Sequence, residues 1–362
     1  MRCALVGYGR SGDPRYVGGQ QTVMRRLGRF LGERRSRVDF LVLEGREERQ
    51  EWQGWGRILG FRDLPALLRS LSEPYDLVLF TRLPLKTYPK LLRYLVNRPA
   101  GGVHAYFYLV WPSRAVSRLA RRTLFGYFDV VAAASPRLLR EARRAGAPGF
   151  FFLPPVPDAY FQVGAARLGE SPTDLKVGYL GRIGPDKGLH KVTETLSGLS
   201  ELAPRLRPLV RGYWDPRDAQ ARALHETLTQ ALGPFYVGQP APETLTDDLE
   251  PERHVAELLA QIDVLLLPYQ ALENVTLDTP LLLLEAMACG CGVLTTPVAD
   301  LPELLSLPEA FVQKNGFRQA LRGLLEGERL QSLRRCLYQK AIDLDLRLPQ
   351  AGERFLREVG LG

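Results

Sequence analysis

Short apolar runs alternate with longer stretches of helical period along the whole chain. The first run, residues 2–6, leads into residues 20–33, where Val23, Leu27, Phe30 and Leu31 fall on one side and Arg25, Arg26 and Arg29 on the other. Further runs at 38–43, 76–80, 103–110 and 129–134 read as strands. Strands that alternate with helices predict parallel βαβ units. After a proline-stiffened turn at Pro154-Pro155-Val156-Pro157, residues 164–174 are small, polar and aperiodic, the texture of a hinge or linker. A second alternating series follows at 176–180, 209–212, 235–237, 263–267 and 292–296. The pattern predicts an α/β protein of two successive parallel-sheet domains.

The chain has 362 residues, the right length for two domains of about 150–180 residues. Hydrophobic residues make up 45% and charged ones 24%, enough apolar material for two cores. No stretch of 18 uninterrupted apolar residues marks a membrane span, and the first residues lack the apolar region and cleavage site of a signal peptide. Cysteines at 3, 289, 291 and 336 have no metal-ligand spacing and read as reduced, structural thiols of a cytosolic protein. The net charge is +8, and only seven of the 48 basic residues are lysines, leaving 41 arginines. Such a surface attracts phosphates, anionic lipid or nucleic acid, and does not choose among them.

Gly7-Tyr8-Gly9-Arg10-Ser11-Gly12 matches the G-x-G-x-x-G dinucleotide fingerprint directly after a strand, with Glu44 at the end of the next. That reading makes the chain an NAD-dependent oxidoreductase. The context opposes it. A helix does not run through Pro14 and the Gly18-Gly19 pair, and Glu44 follows Gly12 by 32 residues rather than about 20. A long loop whose Gly18 and Gly19 open the first helix with bare amides, ready for an anionic or hydroxyl-rich ligand, fits better.

Two segments of the second half are more specific. In Gly181-Arg182-Ile183-Gly184-Pro185-Asp186-Lys187-Gly188 a strand ends at glycine, presents Arg182, turns, and presents Lys187. Two cations five residues apart on a strand-to-helix turn suit one diphosphate. In Asp278-Thr279-Pro280-Leu281-Leu282-Leu283-Leu284-Glu285-Ala286-Met287-Ala288-Cys289-Gly290, Thr279 suits an N-cap, Pro280 the first helical position, and Gly290 the stop. Glu285 is then a lone carboxylate on an apolar helix, suited to bridging two ribose hydroxyls.

These two segments together resemble the retaining glycosyltransferases of the GT-B fold, their fourth sequence family. Leu301-Pro302-Glu303 resembles that family's trailing L-P-E, Gly18-Gly19 its early glycine pair, and Ala134-Ser135-Pro136 with Leu153-Pro154-Pro155 a mid-chain stretch. The resemblance implies two Rossmann-like domains facing each other across a cleft, residues 1–165 on the acceptor side and 172–344 binding the donor. It also implies that 345–362 cross back to the first domain, Pro349 opening a last helix with Phe355 and Val359 apolar. By position, Arg182 and Lys187 hold the donor diphosphate, Glu285 the ribose, Gly18 and Gly19 the phosphate or sugar, and amides around Asp278 and Thr279 the transferred sugar. The family's first donor-motif glutamate falls on Leu277, so Asp278 or Glu273 substitutes for it or the carboxylate is absent. The family's N-domain histidine points to His104, which reads equally as a core histidine of its strand.

The implied reaction moves a sugar from a nucleoside-diphosphate sugar to an acceptor hydroxyl with retention, no metal and no cofactor. Arg114, Arg118, Arg121 and Arg122 on one side of a helix within 112–128, with Lys86, Lys90 and Arg93 nearby, suggest contact with the inner face of an anionic membrane and a lipid-linked or growing-glycan acceptor. A basic nucleic-acid-binding protein is the rival from another class. No recognised binding module supports it.

Overall fold

Among the described residues, fifty buried side chains drawn from the first 152 residues and from Leu348 to Val359 form one continuous apolar core, and an eight-stranded sheet runs through it. The computed structural model describes residues 1–9, 13–16, 18–43, 47–98, 101–109, 115–170, 174–197, 199, 205–241, 251–270, 279–312, 316–326 and 328–362. It divides into two compact units, Met1–Pro155 with Leu348–Gly362, and Val156–Pro242 with Glu250–Arg347.

The first unit runs β1 (Arg2–Tyr8), α1 (Gly19–Glu33), β2 (Arg37–Leu43), β3 (Glu48–Trp52), β4 (Gly56–Phe61), α2 (Leu64–Ser70), β5 (Leu77–Phe80), α3 (Tyr88–Val96), β6 (Val103–Tyr108), α4 (Ala115–Phe125), β7 (Val130–Ala133), α5 (Pro136–Arg144) and β8 (Gly149–Phe151). Its sheet has the order β3-β4-β2-β1-β5-β6-β7-β8, parallel throughout except for β3. Central strands are covered on both faces, which is why they read as unbroken apolar runs. The β3–β4 hairpin escapes that signal. Glu48, Arg49, Gln50 and Glu51 form a charged edge strand, turned through positive φ at Gln53 and Gly54.

The second unit runs α6 (Asp158–Arg167), β9 (Leu175–Arg182), α7 (Leu189–Ser197), β10 (Leu206–Trp214), α8 (Ala219–Leu232), β11 (Tyr236–Pro240), α9 (Pro251–Ala260), β12 (Val264–Leu267), α10 (Leu281–Ala288), β13 (Gly292–Thr295), α11 (Leu301–Leu305), α12 (Phe317–Leu324) and α13 (Arg329–Asp343). Its parallel sheet has the order β11-β10-β9-β12-β13.

The hinge expected at 164–174 is corrected at its start. Residues 164–167 are the last turn of α6, and the units part earlier, at Pro155 and Val156. A Cβ on Gly164 would lie 2.1 Å from the Ala288 carbonyl oxygen. The small residue there marks close packing, not flexibility. At the other end, α14 (Leu348–Glu358) packs on the first unit. Phe355 stands 5.1 Å, centroid to centroid, from Phe152, and Gly352 lies flat against the Phe30 ring.

Candidate functional site

In open parallel sheets ligands bind beyond the C-terminal strand ends, where the strand order reverses. In the second unit β10 and β11 lie on one side of β9, and β12 and β13 on the other, so the reversal falls between β9 and β12. Strand β9 ends there on Arg182. Pro185–Lys187 then make a single 3-10 turn, and Gly188 closes it in the left-handed region at φ +61°. A Cβ on Gly188 would meet the Pro268 carbonyl oxygen at 2.0 Å, so both backbone shape and the approach to the segment after β12 require glycine.

The turn brings Arg182 and Lys187 onto one carboxylate. Arg182 Nη2 donates to Asp186 Oδ1 at 2.6 Å, and Lys187 Nζ stands 3.1 Å from Oδ2. Asp186, which stands beside Lys187 in the motif, has no role in the sequence reading, yet both cations meet on it. Burial would raise its carboxyl pKa, yet Lys187 and Arg182 together hold it below its ordinary value. Burial lowers the Lys187 ammonium, with Asp186 opposing, and its Nζ lies 5.1 Å from the Tyr269 ring centroid. Two cations on one carboxylate leave the triad positive, with the Arg182 side chain 42% exposed.

Helix α10 lies beside this turn. A Cβ on Gly181 would stand 3.6 Å from Leu282 in its first turn. The helix starts at Leu281, one residue later than expected, because Pro280 is extended at ψ 123° and acts as the cap residue, with no side chain capping. Thr279 is therefore not the N-cap. Glu285, 6% exposed in the second turn, joins the same region. Burial raises the Tyr213 and Tyr269 phenols, and the charges of Glu285 and Asp186 raise both further. Asp278, with its alternatives Glu273 and Leu277, lies outside the described residues.

The far end of α10 is anchored by two buried arginines. Gly290, at φ +64°, donates to the Met287 carbonyl and Cys291 to that of Ala286, which closes the helix in a left-handed cap. Arg334 Nε donates to the Gly290 carbonyl at 2.8 Å and its Nη2 to the Arg167 carbonyl at 3.0 Å. Arg167 donates to the carbonyls of Leu259, Ile262 and Cys289 and to Asp263 Oδ1. The negative ends of α6, α9 and α10 thus meet on two guanidinium groups.

In the first unit α1 opens at Gly19 with Gly18 before it, no side-chain cap and no acid in its first turn. The helix start is electropositive. Residues 13–16 before it are tied down by charge and by backbone contacts. Arg15 bonds both oxygens of fully buried Asp13 and reaches Glu48 and Gln50 of β3, and Arg25 donates to the Pro14 and Tyr16 carbonyls. Nine residues separate Gly9 from the helix, which opposes the dinucleotide reading. Gly12 and Glu44 lie outside the described residues.

His104 is the second residue of β6, level with Val78, at the sheet edge opposite Gly18 and Gly19. It is buried, with Nε2 2.9 Å from the Tyr94 hydroxyl and its ring against Phe80. Burial, helped by Arg98, pushes the imidazole down to about 4. Burial and the Tyr94 contact fit the core-histidine reading of this strand position. The basic outer face expected on α4 is corrected. Arg121 is buried on Tyr88 and Tyr108 beside Phe125, Arg122 forms a two-pronged pair with Glu141, and Leu119 is 68% exposed. Arg114 and the Arg118 side chain lie outside the described residues. Among the described residues no helix is long and apolar enough to cross a membrane, and no three His, Cys, Asp or Glu side chains group as metal ligands.

Residues 174–326 match the family model described as glycosyl transferases group 1. No curated protein matches the chain in sequence. Anabaena HepE in complex with UDP superposes with a TM-score of 0.68 at 15% identity, over 99% of this chain and 100% of that one. The HepE complex with UDP-glucose gives 0.65 at 14%, over 99% of each. The α,α-trehalose 6-phosphate synthase of Burkholderia multivorans gives 0.60 at 14%, over 99% and 98%. At such identities the likeness is one of fold. Residues 174–326, which carry the Arg182–Lys187 turn and Glu285, are thus similar to the group 1 glycosyl transferases, and the chain has the GT-B fold of these structures.

Proposed function

We propose that this chain transfers a sugar from a nucleoside-diphosphate sugar to an acceptor hydroxyl with retention of anomeric configuration. The observation that carries the reading is the Arg182–Asp186–Lys187 triad at the switch point of the second sheet, beside the helix that bears Glu285. Charge grows on the diphosphate as the anomeric bond breaks, and preorganised cations there stabilise that state more than the bound donor. Arg182 and Lys187 take the diphosphate oxygens in place of a metal. Glu285 accepts from the ribose hydroxyls, amides near Thr279 hold the sugar with Asp278 or Glu273, and the α1 start at Gly18 and Gly19 supplies amides to the phosphate or sugar. Neither a cofactor nor nucleic acid enters the scheme.

The acceptor is a lipid-linked sugar or growing glycan handled on the cytoplasmic side. With Arg121 buried and Arg122 paired, membrane contact rests on Arg114 and Arg118 together with Lys86, Lys90 and Arg93, the last three exposed beside Leu85 and Val96. HepE has been captured with UDP and UDP-glucose, so uridine donors head the test. A thermal-shift panel of UDP-, GDP- and ADP-sugars, with NAD and duplex DNA as controls, should show stabilisation by one nucleotide-sugar class alone. Stabilisation by NAD or DNA instead would overturn the reading. Product anomer analysis by NMR then reads the stereochemistry.

A further inference from the structure

A groove of about 550 Å³ opens on the first unit between the end of α1 and the β3–β4 hairpin. Its wall carries Arg35, Arg37, Arg49 and Arg57, one carboxylate, Glu51, and the indole of Trp55. Arg57 is committed, since its Nε donates to buried Asp39 at 2.7 Å. Arg35, Arg37 and Arg49 are exposed, and their side chains make no ion pair with any described residue. Three guanidinium forks therefore face a concavity with one acid among them.

Two features set the groove apart from an ordinary solvated face. Arg35 sits in the left-handed region at φ +60°, just beyond the end of α1, where glycine is the usual residue and any side chain carries backbone strain. Trp55 packs its ring against Phe40, 5.8 Å between centroids, and into the notches of Gly28 and Gly32, while its remaining surface lines the groove. The groove's volume lies in the range of small-ligand sites. It also lies at the N-terminal ends of β2 and β4, about 20 Å along the strands from the edge where α1 begins, so its occupant is not the reacting group.

We propose that this groove binds an anionic oligosaccharide, a short run of sugars bearing carboxylate, sulfate or phosphate, as a holding site separate from the site of transfer. Guanidinium forks take such groups two-pronged, and an indole offers an apolar ring to a sugar face. A flat membrane would not enter a concave groove. The proposal does not require the donor assignment to be right.

The test uses the full chain and its Arg35→Ala, Arg37→Ala, Arg49→Ala triple variant. All three residues are exposed, so the melting temperature should hold. Isothermal titration with tetragalacturonate should show binding to the parent chain and at least tenfold weaker binding to the variant, with none by neutral maltotetraose. Stabilisation by UDP should be equal in both proteins, which keeps the donor site's success or failure a separate readout. Absence of tetragalacturonate binding, equal binding by the variant, equal binding of maltotetraose, or tighter binding of a single-stranded oligonucleotide would each overturn the proposal.

Discussion

Asp186→Asn isolates the role of the shared carboxylate. It keeps one carbonyl oxygen in place but removes the charge that gathers Arg182 and Lys187. A phosphate oxygen taking both cations would lie within about 5–6 Å of that carboxylate, roughly two hydrogen-bond lengths. Unit charges at that separation repel by about 0.7 kcal/mol in water and about 3 kcal/mol at an effective dielectric of 20. With the Arg182 side chain 42% exposed, the value near water applies, about 1 kcal/mol. Removing the repulsion tightens diphosphate binding by about fivefold. Releasing two long side chains opposes this, at about 0.5–1.5 kcal/mol each.

The two effects nearly cancel in the bound donor but not in the transition state, where misplaced cations forfeit stabilisation of growing charge. Loss of one well-placed donor costs on the order of 10²–10³ in rate, and Asn retains part of the arrangement. We expect the Kd for UDP to stay within about tenfold of the parent value while kcat falls by about 10–100-fold. Calorimetry with UDP and single-turnover transfer read the two quantities separately. Turnover near the parent value would show that Asp186 does not organise the cations. An equal loss of affinity and rate would make it part of a uniform binding platform.

Arg182→Ala and Lys187→Ala should each lower transfer by about 10²-fold or more while secondary structure is retained, and normal turnover in both would remove the diphosphate assignment. Arg334→Met leaves the Gly290 and Arg167 carbonyls without their donors in a fully buried place, and urea titration should show a loss of about 2–4 kcal/mol. Less than 1 kcal/mol would mean that Arg167 holds the helix ends alone. His104 has a folded pKa of about 4 against about 6.5 unfolded, so the unfolded chain takes up the proton first. Its contribution is complete above pH 6.5 and falls as pH drops toward 4, by up to about 3 kcal/mol, and His104→Gln should flatten that part of the stability–pH curve. Asp278→Asn keeps the side chain's size and one of its oxygens and should cost well under ~1 kcal/mol of stability. If the carboxylate holds sugar, transfer drops while UDP affinity stays; unaltered transfer would pass that contact to Glu273 or the backbone.

The sheets were legible because buried parallel strands must be apolar on both faces, as Phe40 to Leu43 and Val264 to Leu267 are. The β3–β4 hairpin was not, because an edge strand with one wet face needs no apolar run. Gly164 and its small neighbours misled for a related reason. Composition alone does not separate a loose linker from a helix turn pressed against Ala288. In the site, the Arg182 and Lys187 pair was visible from spacing, since both flank one turn. Asp186 was overlooked because acids next to lysines are common on surfaces, and only burial shows that this one gathers two cations. Arg167 and Arg334 had no signal at all, since a carbonyl partner leaves no trace in side-chain chemistry.

The arginines account for the net charge of +8 in a way that composition hides. Arg334 is buried and donates to two backbone carbonyls, so its positive charge stays in the chain's total without lying on the surface. Arg25 and Arg26 are buried as well and donate to the carbonyls of Pro14, Tyr16 and Pro155. A carbonyl at a helix end carries part of a negative charge, which is how Arg334 is tolerated although burial and Arg167 both push its pKa down. Lysine, a compact and strongly hydrated ammonium, loses more on burial and cannot reach two carbonyls with one planar fork. The excess of arginine over lysine therefore has a structural use inside both units. Burial thus withdraws some arginines from the surface, while the turn after β9 gathers two cations on Asp186 at one place.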